Sequence, residues 1–493
     1  MLIWAVPPAP AQTAASRQLP AGHWAYEPIQ RLRTRGYLAG LDPLIQPYRR
    51  AEVATGLRAL DPDTLPQPVA GWVRLLREEF AAEIATQRPA RLGVVIAAGA
   101  RSGTTDRLDA LRPQGPGSVW PWAHGGGWVE SGPLVVETGV RFDSYLRHDP
   151  DQRPISLRMG GLAEQTYTSL SAGPAVLTLG RFGRSWGPAG RDGLLVSRNS
   201  LSYPQLGVDV RLGRIALQSF TGELDTLAGT RRYLAANRFA YSTARTTLAL
   251  TEAVLYSGSG ALLQFLNPFT VLQFEHENPP GEGLAENLML GLQFWRAWGR
   301  VETYAEGLLD DIDLQPASGK RRAPTRYALT AGMRWRPSGE RVEAAVEYQR
   351  VSSYAYRSVR PADRFDHLGR GLGPNFADYD HLAALADVFP GIAGLRLTPG
   401  LEVLRQGEGD FRAPFPEDTV FRSSPSLLLG VAERTVRASL RGRYQPLGAF
   451  WLSWDLGHGW IRNAGHVAGA SASRFEALVS AGARLEFGSA IRP

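Results

Sequence analysis

The 493 residues contain no cysteine. Disulfides, zinc–thiolate sites and thiol nucleophiles are therefore excluded together. Lysine is nearly absent as well: of 54 basic residues only Lys320 is a lysine, and the others are arginines. No uncharged apolar run approaches the roughly 20 residues that a spanning helix requires, so a helical membrane protein is excluded. The eight histidines are scattered, and none stands in a His-Glu-x-x-His or similar ligand spacing. Gly369-Arg370-Gly371-Leu372-Gly373 lacks the strand-to-helix setting of a dinucleotide loop. No basic cluster falls on a recognition helix or an RNA-binding signature, so nucleic acid is not an expected partner. The sequence predicts no enzyme and no cofactor.

What is present is aromatic and basic. Thirteen Trp, 16 Tyr and 18 Phe are too many for a disordered chain. The net charge of +7, carried on planar guanidinium groups, suits carboxylate or phosphate partners such as acidic polysaccharide or lipid headgroups; GC-rich codon usage would produce the same bias. Residues 1–16 read as a truncated signal-peptide-like leader, an apolar stretch running into a small-residue cleavage pattern. Residues 17–89 carry a helical period. Tyr26, Ile29 and Leu32 share one face, Val53, Leu57 and Leu60 another, and Val69, Trp72, Val73, Leu76, Phe80 and Ile84 a third. This head is either a packed plug or, since His23 to Val53 also looks like a surface-layer-homology repeat, a binder of cell-wall polymer.

From residue 90 to 493 the period is 2. Leu288, Leu290, Leu292 and Phe294 alternate with Met289, Gly291, Gln293 and Trp295, and Val342, Ala344, Val346 and Tyr348 with Glu343, Ala345, Glu347 and Gln349. Val436, Ala438 and Leu440 alternate with Arg437, Ser439 and Arg441, and Phe475 to Phe487 closes the pattern. Segments of this length, with charge along the polar face, fit a membrane barrel with lipid outside and a watery lumen. At roughly 22 residues per strand and connection the segment supplies about 18 strands. The fold class is therefore mostly β, a transmembrane antiparallel β-barrel of about 18 strands with a small N-terminal α-helical bundle. Trp295, Trp298, Trp335, Trp451 and Trp460 are expected in the interfacial girdles, and 310–324 and 356–395 as long outer loops.

Chemistry-bearing groups are few. Glu302 and Glu306 lie about 13 Å apart on one strand face at ~3.3 Å per residue, too far for a paired-carboxylate glycosidase. Asp310, Asp311 and Asp313 offer carboxylate oxygens to a hard cation, or form an acidic loop base. The best binding candidate is Arg181, Arg184, Trp186, Arg191, Arg198 and Asn199. Sugar recognition needs an aromatic face against C–H patches, with charged or amide groups on hydroxyls and carboxylates. The alternative is that Trp186 and its glycines shape an inward-folded loop.

The run from Gly180 to Ser200, Gly-Arg-Phe-Gly-Arg-Ser-Trp-Gly-Pro-Ala-Gly-Arg-Asp-Gly-Leu-Leu-Val-Ser-Arg-Asn-Ser, resembles the signature segment of the capsule assembly Wzi family of bacterial outer-membrane proteins. The likeness continues through Phe220-Thr221-Gly222, Ala236-Asn237-Arg238-Phe239, Leu266-Asn267-Pro268-Phe269 and Gly307 to Asp311, and ends at Leu372-Gly373-Pro374-Asn375. The resemblance implies an 18-stranded barrel in the bacterial outer membrane, capped at its periplasmic end by a helical bundle. It further implies a lectin-like, non-enzymatic role in holding capsular or exopolysaccharide at the cell surface. A channel for anionic solutes is the alternative that an arginine-rich lumen would serve.

Overall fold

The computed structural model describes residues 15–85, 90–154, 161–188, 192–258, 263–272, 286–310, 325–337, 339–415 and 427–491. The expected leader lies outside them except for Ala15 and Ser16, as do Arg191, Asp311 and Asp313. Among the described residues, eighteen antiparallel strands form one closed barrel. The segments Gly161–Ala163 and Thr166–Ala172 count as one strand, because both pair with Leu134–Asp143. The barrel closes where Arg91–Gly103 pairs with Ser471–Ala490, Arg91 opposite Ala490 and Gly103 opposite Leu478.

The period-2 pattern becomes an inside-out protein. Phe239, Leu250 and Leu292 are cross-strand partners and form an exposed apolar row, with Leu250 62% exposed. On the same strands the opposite parity is buried in the lumen: Arg238, Thr251, Met289 and Gln293. Strands with an apolar exterior and a polar interior are what lipid on one side and a filled lumen on the other demand. Two-residue turns at one rim have glycine at positive φ, as at Gly132 (φ 53°) and Gly213 (φ 62°), where a β-carbon would be strained. Long connections such as 104–118, 182–203 and 352–378 leave the other rim, which makes it the extracellular one.

Two expectations are corrected here. The loop expected at 356–395 contains a strand, Tyr379–Val388, which pairs with Val342–Val351 and Leu395–Gln406; its alanines blur the apolar–polar contrast that alternation needs. Trp298, Trp335 and Trp460 are exposed at strand ends, as girdle residues should be. Trp295 is instead fully buried in the lumen, its indole N–H donating to Glu302 at 2.6 Å, and Trp451 also faces inward. Closeness to a strand end places a residue near the interface, but its parity decides which side of the wall it is on.

The head consists of α1 (Tyr26–Thr34), α2 (Arg50–Arg58), α3 (Val69–Glu79) and α4 (Ala81–Ile84). Their apolar faces meet each other, with Leu32, Val53, Leu57, Val73, Leu76 and Phe80 wholly buried. The head seats on the short-turn rim through charge. Arg31 Nη2 lies 2.9 Å from Asp387 and its Nε 3.3 Å from Glu343. Asp42 pairs with Arg238 at 2.8 Å, Arg17 with Glu486, and Arg33 donates to Ala244 O and Thr243 O while its guanidinium lies 4.5 Å above the Trp295 ring. Arg50 is buried within the head between Glu79 and Glu83.

Two outcomes follow. Leu250→Arg puts a cation in the lipid-facing row and should cost about 2–4 kcal/mol near the bilayer midplane, read as a lowered urea midpoint of the barrel in liposomes. The second concerns His23, which packs 5.6 Å from Trp24 and 3.8 Å from Glu79. Burial, then the charges of Arg484 and Arg50, hold it well below the usual histidine value of 6.5. A depressed pKa means the released head binds the extra proton, so stability present at neutral pH is lost as pH falls through about 6.5. Head protection from protease should therefore decline between pH 7.5 and 5.5, and His23→Gln should flatten that decline.

Candidate functional site: a charged cleft under the outer loops

The 180–200 segment folds inward from the outer rim instead of projecting outward. Ser185–Trp186 pairs with Ile45–Gln46 of the head, and Gly187 N donates to Leu44 O at 2.9 Å. Trp186 O accepts from Gln293 Nε2 at 2.8 Å. Farther along, Leu194 N donates to Glu306 at 3.1 Å and Leu194 O accepts from Tyr356 Oη at 2.8 Å. Ser197 then bonds Leu372 O and Gly373 O at 2.7 Å each. The glycines are there for close backbone approach: a β-carbon on Gly193 would stand 2.1 Å from Trp186 O, and one on Gly373 2.1 Å from Leu194 O. One segment thus ties the periplasmic head to the extracellular loops through the middle of the barrel. Leu194, Leu195, Phe220, Tyr356, Phe365 and Leu372 pack around it as an apolar core inside the lumen.

The sequence candidates separate accordingly. Trp186 has no exposed surface and meets Phe220 edge-on at 5.5 Å. Arg184 is buried, donating to Gln205 at 2.6 Å and lying 3.6 Å from Asp209. In this arrangement neither offers a face to a polymer, and the sugar-stacking role expected for Trp186 falls on a ring with no access. Arg181 donates to Ser202 O at 2.8 Å. Arg198 and Asn199 do reach open space. Asp310 is buried and accepts from the Tyr356 backbone N–H, and no cluster of three potential metal ligands occurs among the described residues. Gly183-Arg184-Ser185-Trp186-Gly187 has the Gly-x-Ser-x-Gly spacing of a nucleophile elbow, but Ser185 lies in the two-residue strand facing Gln46, and its hydroxyl has no hydrogen-bond partner. A general base within reach is what such a nucleophile requires.

Open space lies on one side of this column. A cavity of about 520 Å³ beneath the outer loops is lined by Arg101, Arg107, Arg112, Arg141, Arg198 and Arg370, with Asn199 and as many carboxylates as arginines. The charges are paired: Arg107 with Asp151 at 3.0 Å, Arg112 with Asp109 at 2.8 Å, Arg370 with Asp149. A second cavity, about 580 Å³, adjoins it across Arg101, Arg141, Glu164, Arg198 and Ser200 and descends to Pro20–His23 of the head. Trp122, His124 and Trp451 line this deeper part. Parity on their strands was the signal that could have found Trp122 and Trp451, since both fall on the inward face.

An eighteen-stranded outer-membrane barrel, filled by its own loops and closed beneath by a helical head, is the class of protein these features define. No protein-family model matches the sequence, and no curated protein matches it at a significant level. Among solved structures the chain is similar to Wzi, described as an outer-membrane protein involved in group 1 capsule assembly in Escherichia coli and a carbohydrate-binding β-barrel. The TM-score is 0.65 at 13% identity, over 95% of this chain and 99% of that one. It is also similar to OccD3 (OpdP) of Pseudomonas aeruginosa, with TM-score 0.46 and 10% identity over 81% of this chain and 91% of that one. OccAB4 of Acinetobacter baumannii gives 0.43 and 10% over 82% and 99%. At these identities the likeness to Wzi establishes a shared fold, head included, and the other two add nothing to it.

Since Trp186 is a packing residue here, Trp186→Ala should cost about 3–5 kcal/mol as a large buried side chain. The expected readout is less heat-modifiable, folded protein in the membrane fraction. Normal abundance together with released polymer would instead return Trp186 to the binding surface.

Proposed function

We propose that this protein binds surface polysaccharide, capsular or exopolysaccharide, in the outer membrane and holds it at the cell or assists its assembly, without catalysing a reaction. The observation that carries this is the position of the cleft, lined by paired arginines and carboxylates together with amides such as Asn199. It lies directly under the extracellular loops of a barrel whose middle is occupied by the 180–200 segment and the apolar core around it, so a ligand can enter from outside and be held there. Carbohydrate binding and capsule assembly, which describe the Wzi structure, support the reading through the shared fold. Guanidinium groups fit carboxylate-bearing sugars in a forked geometry, and Asn199, beside Arg198, donates through its Nδ2 to Gly373 O at 2.6 Å and offers its amide oxygen to a hydroxyl.

The channel for anionic solutes is disfavoured by the same column of residues that fills the lumen. Outer-membrane lipid is the partner of the exterior apolar face. A cell-wall partner for the head has no support in its surface, because the helices spend their apolar faces on one another and the Arg50 of the repeat-like segment is buried in ion pairs.

The deciding measurement is cell-bound polysaccharide normalised to folded barrel. Deletion of the gene should release polymer into the medium. The pair Arg198→Ala and Asn199→Ala should lower the ratio severalfold at unchanged barrel abundance, with the arginine effect shrinking in high salt as screening shortens the reach of charge. In planar bilayers the protein should conduct little. An unchanged polymer ratio combined with large anion-selective conductance would replace this function by the channel.

A further inference from the structure

The deeper cavity has an aromatic floor built by strand register. Trp122 lies opposite Gly99, Gly99 opposite Gly482, and Gly482 opposite Trp451. The row Trp–Gly–Gly–Trp therefore crosses four neighbouring strands at the seam where the barrel closes. A β-carbon on Gly482 would stand 2.5 Å from the Trp451 ring and 2.9 Å from that of Trp122, and one on Gly99 2.7 Å from Trp122. Both indoles thus lie folded over the two glycines. Their centroids are 5.8 Å apart and their planes 21° from parallel, an offset stack; the pair forms an aromatic tile against the inner wall, bordering the cavity.

The tile's surroundings are those of a polyol site. Gln165 also lines the cavity; it is 7% exposed, and its Nε2 has no hydrogen-bond partner. A buried amide donor left without a partner is costly unless something polar reaches it. Arg141, held by Glu164 at 2.9 Å, stands at the junction with the outer cavity, where Gln152, 8% exposed, has neither side-chain nitrogen nor oxygen bonded. An aromatic surface that shares its cavity with the unpaired amide of Gln165 matches a pyranose ring, which presents an apolar C–H face with hydroxyls around its edge.

We infer that the Trp122–Trp451 tile is a saccharide subsite inside the lumen, taking one pyranose unit of a polysaccharide that enters from the outer cavity past Arg101, Arg141 and Arg198. Gln165 bonds a ring hydroxyl there. This rests on the polysaccharide-binding function above, and it moves the stacking role from the 180–200 segment to the closing seam. The glycines preorganise the platform, since any larger residue at positions 99 or 482 would lift the rings from the wall.

The test is calorimetric titration of the full-length protein in detergent with oligosaccharides released from the surface polysaccharide of the producing cells. The wild type should bind, with a change in tryptophan emission on saturation. Trp122→Leu and Trp451→Leu should each weaken binding about five- to tenfold, in line with loss of one aromatic contact, and Trp122→Phe should recover part of it. Heat-modifiable migration reports whether each variant is folded. If the leucine variants do not assemble, the wild-type emission change and its reduction in Trp122→Phe decide the matter. Wild-type binding with full affinity retained in folded Trp122→Leu and Trp451→Leu, or with no emission change, would overturn the tile and leave the general function standing. No binding by the wild type would overturn both.

Discussion

The pairing of the first strand with the last is the constraint on which the rest depends. In a bilayer an unpaired strand edge leaves backbone groups without partners, so the sheet must close. Closure divides every strand into a lipid face and a lumen face. The lipid face must be apolar. The lumen face is then the only place for the charged half of each alternating segment, and arginines such as Arg238 and Arg437 are buried there against Asp42 and Asp455. A buried charge without a partner is strongly unfavourable. The head therefore brings complementary charge into the lumen with Arg17, Arg31 and Asp42, whereas the 180–200 segment meets Glu306 with a backbone N–H.

The inward fold of the 180–200 segment links the two ends of the molecule. It pairs with the head at Ile45–Gln46, with the wall at Gln293 and Glu306, and with the outer loops at Tyr356 and Gly373. The signature-like run of glycine, arginine and tryptophan thus packs as a scaffold. Its glycines permit backbone-to-backbone contact, and Trp186 and Arg184 are spent on packing. What the column leaves open is a cleft along one wall, running from the outer loops toward Pro20–His23 of the head.

The barrel and its head were legible because each obeys a period. Leu292 against Gln293 and Val346 against Glu347 announce the two faces of their strands, and Ile29, Leu32, Val53, Leu57, Val73 and Leu76 are the buried faces of their helices as their spacing requires. Tyr379–Val388 was not legible, since runs of alanine carry too little contrast between faces. The site was legible only in part. Arg198 and Asn199 reach the cleft, whereas Trp186 and Arg184 do not, because a motif of aromatic and basic residues has the same composition whether it binds a ligand or fills a core.

By itself the sequence determined the membrane barrel, its approximate strand number, the helical head and the inward orientation of the charges, because local alternation and the requirement to pair every backbone group leave few other solutions. Only the tertiary structure decided which aromatic rings are accessible. Trp122 and Trp451 are 329 residues apart in the chain and become one surface because the closing seam sets them in register on either side of Gly99 and Gly482. Contact across that seam depends on which strands become neighbours when the sheet closes, and neither local period nor local composition encodes it.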